Sequence, residues 1–162
     1  PWKVDSIGAK EFISEASTCD LLLFRCSRGM VIRGVTNSEF DHVAMIIRLD
    51  MEPNEVYIIE ATGNRGVSYN KWSNLKQHLG AGKFYEKLVY RSVKTEFKVS
   101  VLKSFLESVE GKSYSISADK LLKTKTRRIT DEEEPRTFFC SELVAKAFKT
   151  LGVLVDDDTS CT

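Results

Sequence analysis

Apolar residues recur along this chain in two spacings, one typical of strands and one typical of helices. Short runs rich in aliphatic, β-branched and aromatic residues occur at 20–25 (DLLLFR), 42–49 (HVAMIIRL), 55–61 (EVYIIEA) and 83–93 (KFYEKLVYRSV). Each run has the length and composition of a strand. The second and third runs are separated by DMEPN, which holds the turn formers Asp50, Pro53 and Asn54, so they are predicted to form an antiparallel hairpin.

Helical spacing marks other segments. SIGAKEFISEAST (6–18) is predicted to be a helix capped by Ser6, with its apolar side formed by Ile7, Phe12, Ile13 and Ala16. GNRGVSY (63–69) is predicted to be a bend, and YNKWSNLKQHLG (69–80) a helix that ends at Gly80. KVSVLKSFLESVEGK (98–112) has apolar residues at helical spacing and ends at Gly111.

The last predicted helix, within TFFCSELVAKAFKTLGV (137–153), carries a cysteine at its start. At about 100° per residue one stripe of this helix is apolar, and it consists of Cys140, Leu143, Val144, Ala147, Phe148 and Leu151. One interpretation makes Cys140 a small core residue. The other makes it a nucleophile, because the positive end of the helix dipole and unsatisfied backbone N–H groups stabilise a thiolate.

The chain has two histidines, of which His78 lies in a polar segment and is predicted to be on the surface. His42 begins an apolar strand, where burial of an imidazole without a polar partner is costly. If the hairpin is centred near residue 51, Glu60 lies across from His42 within a residue or two. A carboxylate in that place would fix the imidazole tautomer and leave the other ring nitrogen to act as a base. Spacing alone favours the alternative, in which Cys140 is a core residue and His42 and Glu60 are a structural pair of polar residues at a strand end.

Composition narrows the class of protein. With 162 residues, 42% hydrophobic and 29% charged, the chain is predicted to form a single domain over 1–162. A net charge of +1 argues against nucleic acid as a partner, and no apolar run is long enough for a transmembrane segment. Four cysteines show no paired metal-ligand spacing, so neither a metal nor another cofactor is predicted, and reduced thiols in the cytoplasm are the simplest interpretation.

One stretch differs in composition from the rest. KLLKTKTRRITDEEEPR (120–136) is basic and then acidic, and it directly precedes the cysteine helix. Such blocks are typical of a mobile, solvated loop. The alternative is a lid or partner-binding arm over the region of Cys140.

Several short motifs, taken in order, resemble one family. They are Asp20-Leu-Leu-Leu-Phe, Asp41-His42-Val-Ala-Met-Ile-Ile, Ile59-Glu60-Ala with Gly66-Val67, Gly111-Lys-Ser-Tyr114, and Phe139-Cys140-Ser-Glu-Leu-Val-Ala. Over about residues 19–153 this order is similar to that of the circularly permuted papain-like cysteine hydrolases. These form the branch of the NlpC-type superfamily that includes YiiX-type proteins and, more distantly, lecithin retinol acyltransferases.

The resemblance implies an α+β fold in which a small antiparallel sheet packs against a central helix bearing the cysteine. It implies that Cys140 is the nucleophile, His42 the general base and Glu60 the residue that orients it, with the Cys140 backbone N–H as one oxyanion donor. Tyr114 matches a tyrosine of the family pattern and is predicted to line the substrate cleft, although an ordinary half-buried aromatic would also fit.

The sequence departs from the family pattern at two positions. Cys19 stands where a glycine often precedes the first aspartate, and Ala44 replaces a glycine two residues after the histidine. Neither change removes a reacting group, but both are expected to alter the fine geometry of the cleft.

Three functions of different class remain open at this point. The first is a thiol hydrolase that cleaves an amide or isopeptide bond through a thioacyl-enzyme. The second is a lipid acyltransferase or thioesterase using the same residues, and the third is a catalytically idle binding module. Retention of a cysteine, a histidine and a carboxylate in the family's order favours an enzyme, and the hydrolase is the preferred prediction.

Overall fold

The computed structural model describes residues 6–27, 33–34, 37–63, 65–112 and 140–154. Its helices are α1 (Ala9–Glu15), α2 (Trp72–Leu75), α3 (Val99–Val109) and α4 (Cys140–Thr150), with a 3₁₀ turn at Lys76–His78. Its strands are β1 (Leu21–Cys26), β2 (His42–Ile47), β3 (Tyr57–Thr62), β4 (Gly66–Lys71) and β5 (Tyr85–Arg91). This α+β composition confirms the predicted fold class.

The strands form one sheet, of five strands within the described residues, in the order β4-β3-β2-β1-β5. β1 lies between β2 and β5 and is antiparallel to both, and β2 and β3 form the predicted antiparallel hairpin. The four runs predicted to be strands therefore all occur as strands, of which β1 is displaced by one residue and the other three are shorter than their apolar runs.

The connection between β2 and β3 is folded by its own hydrogen bonds. Backbone N–H groups of Glu52 and Glu55 donate to the carbonyls of Leu49 and Glu52, at 3.0 and 3.1 Å, and the Arg48 guanidinium donates to the Glu55 carbonyl at 3.1 Å. The structure pairs Ile47 with Tyr57. The hairpin is therefore centred on residue 52 rather than 51.

The chain divides into two compact units. The first comprises the described residues up to Ile59 together with Tyr69–Lys94, and the second comprises Glu60–Ser68 and the described residues from Thr95 onward. The single domain over 1–162 stays a prediction, and the charged segment 120–136 lies outside the described residues.

The core of the first unit lies on one face of the sheet. Side chains that alternate along β1, β2 and the start of β3 pack with α1, α2 and Tyr85, and this cluster contains Phe12, Ala16, Leu22, Phe24, Ala44, Ile46, Val56, Ile58, Trp72 and Leu75. Alternation places every second strand residue on the same face, which is why the apolar runs predicted the strands. The Phe12 ring lies 4.6 Å from that of Trp72 and ties α1 to α2.

Two predicted boundaries are wrong. Helix α1 begins at Ala9 with Gly8 as its N-cap, so Ser6 does not cap it, and the Glu11 side chain accepts a hydrogen bond from the Gly8 N–H at 3.4 Å. The predicted bend and the first residues of the predicted helix at 69–80 instead form β4, and α2 is only one turn long. Gly66 has a φ of 64°, so the turn ends there and the strand begins.

The second unit contains α3 packed against α4. Leu102, Phe105 and Val109 are buried on α3, and its end is fixed to β4 because the Val67 N–H donates to the Lys112 carbonyl and the Gly111 N–H to the Val67 carbonyl. Gly111 has a φ of 72°, which agrees with its predicted place at the end of this helix. Among the described residues, no helix has the length and apolar character required to cross a membrane.

Candidate functional site

Cys140 is the first residue of α4 and is half-buried. Farther along its stripe, Leu143, Val144, Ala147 and Phe148 are buried, so the predicted apolar face is confirmed for four of its six residues. Cys140 and Leu151 are the two stripe residues that retain solvent contact. A thiol at this place combines a helix N-terminus with access for a substrate, whereas a core thiol has neither.

The other described cysteines have different surroundings. Cys19 is fully buried, and burial together with the neighbouring Asp20 carboxylate raises the pKa of its thiol to about 11. Cys26 is half-buried at the end of β1. The described cysteines Cys19, Cys26 and Cys140 form no disulfide with one another, and Cys161 lies outside the described residues.

His42 is the first residue of β2 and is half-buried. It pairs with Phe24 of β1, and the two rings lie 5.3 Å apart at an interplanar angle of 40°. His78 is exposed in the 3₁₀ turn, as predicted.

Glu60 lies in β3 and is 5% exposed, between the buried residues Ile59 and Ala61. The predicted register would pair Met45 with Tyr57, but the structure pairs Met45 with Ile59. The difference is two residues, within the predicted tolerance, and a shift by an even number leaves each strand residue on its predicted face. A carboxylate at this level of burial is stable only with polar or charged partners.

The predicted residues belong to different units. His42 is in the first unit, Glu60 and Cys140 are in the second, and Tyr114 lies outside the described residues. The catalytic arrangement of the three side chains is therefore a proposal, argued below.

The aspartate of the first motif is structural. Asp20 is fully buried, and its carboxylate accepts hydrogen bonds from the Ser17 N–H, the Tyr90 hydroxyl and the Val93 N–H at 2.8, 2.6 and 2.7 Å. It thereby joins the entry to β1 with β5 and the chain beyond it. Burial, together with this hydrogen bond to Asp20, raises the pKa of Tyr90 to about 12.

A second buried carboxylate, Asp41, directly precedes His42 and was not assigned a role from sequence. It accepts the Cys26 N–H and forms an ion pair with Arg33. Its place in the Asp41-His42 motif was the available signal. Its partner Arg33 lies eight residues away in a connection with no periodic pattern, so no sequence feature pointed to the pair.

Comparison with known proteins gives the family. A family model described as "permuted papain-like amidase enzyme, YaeF/YiiX, C92 family" matches residues 20–160. The crystal structure of the metalloprotein YiiX from Escherichia coli O157:H7 is similar, with a TM-score of 0.58 and 22% identity over 85% of this chain and 67% of that one. At this identity the likeness to YiiX shows the fold. No curated protein sequence matches the chain. Because the family model covers nearly the whole chain, this protein belongs to the C92 family of permuted papain-like amidases.

Proposed function

We propose that this protein is a thiol hydrolase that cleaves an amide or isopeptide bond, with Cys140 as nucleophile, His42 as general base and Glu60 as the residue that orients His42. The observation that carries the proposal is the position of Cys140. It is the first residue of a long amphipathic helix and is half-buried, although the rest of its stripe enters the core. A purely structural cysteine on that stripe requires neither the first position of the helix nor solvent access.

His42 and Glu60 suit their proposed roles for separate reasons. His42 is at a strand end and keeps partial exposure, so its imidazole can exchange protons with a substrate. Glu60 is buried, and a buried carboxylate that accepts from an imidazole N–H stabilises the imidazolium. A carboxylate in that role orients the ring and does not itself transfer the proton.

The proposed reaction has two stages. His42 takes the proton of the Cys140 thiol, and the sulfur attacks the carbonyl carbon to form a tetrahedral oxyanion, which the Cys140 backbone N–H stabilises. The C–N bond then breaks, the amine leaves with the proton from His42, and the acyl group remains as a thioester on Cys140. Water, deprotonated by His42, hydrolyses the thioester to a carboxylic acid and regenerates the thiol.

The substrate class rests on family membership, because the family is one of amidases. Its relative YiiX is described as a metalloprotein. Within the parts of this chain that the structure describes, no group of three or more His, Cys, Asp or Glu side chains is placed to hold a metal ion. The described residues do not fit a metal centre, and the proposed steps use only side chains of the chain itself.

Two further predictions belong with this proposal. Tyr114 lines the substrate cleft, and the protein works in the cytoplasm, where cysteines stay reduced.

The test is to trap the acyl-enzyme. The protein is incubated with cell extract, quenched in acid and analysed by intact mass and peptide mapping, with Cys140→Ala as the matched control. A peptidyl or other amide-derived acyl adduct on Cys140, absent from the control, is expected. A fatty acyl adduct would replace the proposed substrate class with a lipid. Adducts that form equally on the Cys140→Ala protein would contradict the assignment of the nucleophile.

A further inference from the structure

A buried ion pair lies at the entry to β2, one residue before His42. The Asp41 side chain is 1% exposed, that of Arg33 is 15% exposed, and the guanidinium donates to the Asp41 carboxylate. The same pair holds both backbone groups of Cys26. Its N–H donates to the two Asp41 oxygens at 2.9 and 3.2 Å, and its carbonyl accepts from Arg33 at 2.7 Å.

The Asp41–Arg33 pair lies where the regular backbone pairing of β1 with β2 ends. Phe24 and His42 are the last partners in the register of β1 with β2, and the Asp41 N–H donates to the Phe24 carbonyl at 3.0 Å. On the other side of β1, the register with β5 shifts between Arg25 and Cys26. Strand ends without such closure fray, because backbone groups there exchange their partners for water.

We propose that Asp41 is a positioning residue for His42 and that Arg33 is its charge partner. Asp41 fixes the strand end that carries the imidazole against Phe24, and Arg33 neutralises the carboxylate beside that imidazole. This inference rests on the proposed function, in which His42 is the base.

The charges of Asp41 and Arg33 are also expected to affect the protonation of His42. A pair with a purely structural role would have no such effect. In Asp41→Asn the Arg33 charge remains without its partner and disfavours protonation of His42. In Arg33→Gln the Asp41 charge remains and favours it. A loss of structure alone would move both variants in the same direction.

Besides Glu60, the proposed partner of His42, four charged groups at this end of the sheet form two ion pairs. Arg25 on β1 lies 3.5 Å from Glu86 on β5, and Lys87 on β5 lies 2.6 Å from Glu39 in the connection before β2. All four side chains are between 42% and 49% exposed, so solvent screens them. They are unchanged in every variant.

The experiment is an NMR titration of the two histidines in the whole chain, for the parent, Asp41→Asn, Arg33→Gln and the double variant. His78 is exposed and serves as an internal reference. The titration midpoint of His42 is expected to fall in Asp41→Asn and rise in Arg33→Gln, each by roughly a few tenths of a pH unit, as for a unit charge at a neighbouring residue in a water-like dielectric. The double variant is expected to return close to the parent, and His78 is expected not to move.

Two results would overturn the proposal. One is a His42 midpoint that does not move, or that moves in the same direction in both single variants. The other comes from hydrogen exchange of the parent protein, so it does not depend on whether a variant folds. The Cys26 amide is expected to be protected from hydrogen exchange like the amides inside β1. Unprotected exchange there would show that Asp41 does not hold the Cys26 backbone.

These measurements report on His42 and not on turnover. If they succeed while Cys140 labelling is indifferent to His42→Ala, the positioning role stands and the proposed function fails. If Cys140 depends on His42 but the midpoints do not respond, the proposed function stands and Asp41 is only structural.

Discussion

Cys19 has a backbone conformation that is unfavourable for most residues other than glycine. It has a φ of 77°, in the left-handed region that favours glycine, at the position where the family pattern often has glycine. Its N–H donates to the Ile46 carbonyl at 2.9 Å, and the Ile46 N–H donates to the Asp20 carbonyl at 2.8 Å. The departure noted in the sequence therefore falls on a backbone position that β1 and β2 hold in place.

Cys19 variants test this conformation directly. The left-handed conformation costs a residue with a β-carbon about 1–2 kcal/mol, whereas losing one more buried carbon costs ~0.8 kcal/mol. Cys19→Gly is therefore expected to be more stable than Cys19→Ala by ~0.5 kcal/mol in urea unfolding, the reverse of the usual order of these residues. Equal stability, or a more stable alanine variant, would show that φ at this position is not constrained.

Elements with a strong apolar period could be predicted from sequence, and those without one could not. The cysteine helix and the hairpin were predicted because their apolar residues repeat at helical and strand spacing. Strand β4 was mistaken for a bend because Gly63 lies just before it, Gly66 is its first residue, and GVSYNK shows little apolar alternation. The hairpin register was displaced because the side chain and backbone bonds of Arg48–Glu55 set the centre of the turn, and sequence spacing does not contain those bonds.

The candidate site shows the same division. Cys140 and His42 each lie at the predicted end of a well-predicted element, so their surroundings followed from the pattern. Glu60 followed from its place in an apolar run. The Asp41–Arg33 pair did not follow, because it joins residues through a connection whose path only tertiary structure determines.

Helix α4 ends in a motif that can be tested as an element. The Val153 N–H donates to the Phe148 carbonyl at 2.8 Å and the Gly152 N–H to the Lys149 carbonyl at 3.0 Å, with a Gly152 φ of 73°. This is the Schellman arrangement, which requires a left-handed residue.

Gly152→Ala is expected to lower the free energy of unfolding by ~1 kcal/mol. An added β-carbon meets no atom of the described residues within 4 Å, and the expected loss is attributed to backbone strain. Gly152→Asn is the matched variant and is expected to lose less, because asparagine tolerates this conformation better than alanine. Thermal and urea unfolding of both variants provide the measurement, and an alanine variant as stable as the parent would contradict the assigned cap.

For the whole molecule, the proposed site residues occur in the order His42, Glu60, Cys140, which is a circular permutation of papain's order of cysteine, histidine and polar residue. The family model extends over residues 20–160 and so includes all three positions. The net charge of +1 gives the molecule no general attraction to polyanions, so the expected specificity lies in the site.

Alkaline conditions are expected to destabilise the whole fold. The pKa of Cys19 is raised to about 11 and that of Tyr90 to about 12, in both cases mainly by burial. Because both groups keep their protons longer in the folded state, the stability they contribute is complete below their unfolded pKa values and is lost as pH rises through the folded ones.

Urea unfolding between pH 8 and 12 measures this loss. The free energy of unfolding is expected to fall as pH rises above about 9. Tyr90→Phe is expected to be less stable than the parent by ~1 kcal/mol at pH 8, because its hydrogen bond to Asp20 is gone, and to show a shallower fall above pH 10. A flat profile for the parent would contradict the raised pKa values of the buried Cys19 and the half-buried Tyr90.

The central claim is that Cys140 is a thiolate nucleophile whose reactivity depends on His42, and iodoacetamide labelling tests it most directly. Labelling is mapped by peptide mass from pH 5 to 9, a range set by reference pKa values, in the parent, His42→Ala, Glu60→Gln and the control His78→Ala. The parent and the control are expected to label Cys140 quickly well below the free-cysteine pKa of about 8.5. His42→Ala is expected to lose at least ~10-fold in rate at pH 6, with Glu60→Gln between the two. Preferential labelling of Cys19 or Cys26, or a Cys140 profile that is the same in His42→Ala as in the parent, would contradict the account.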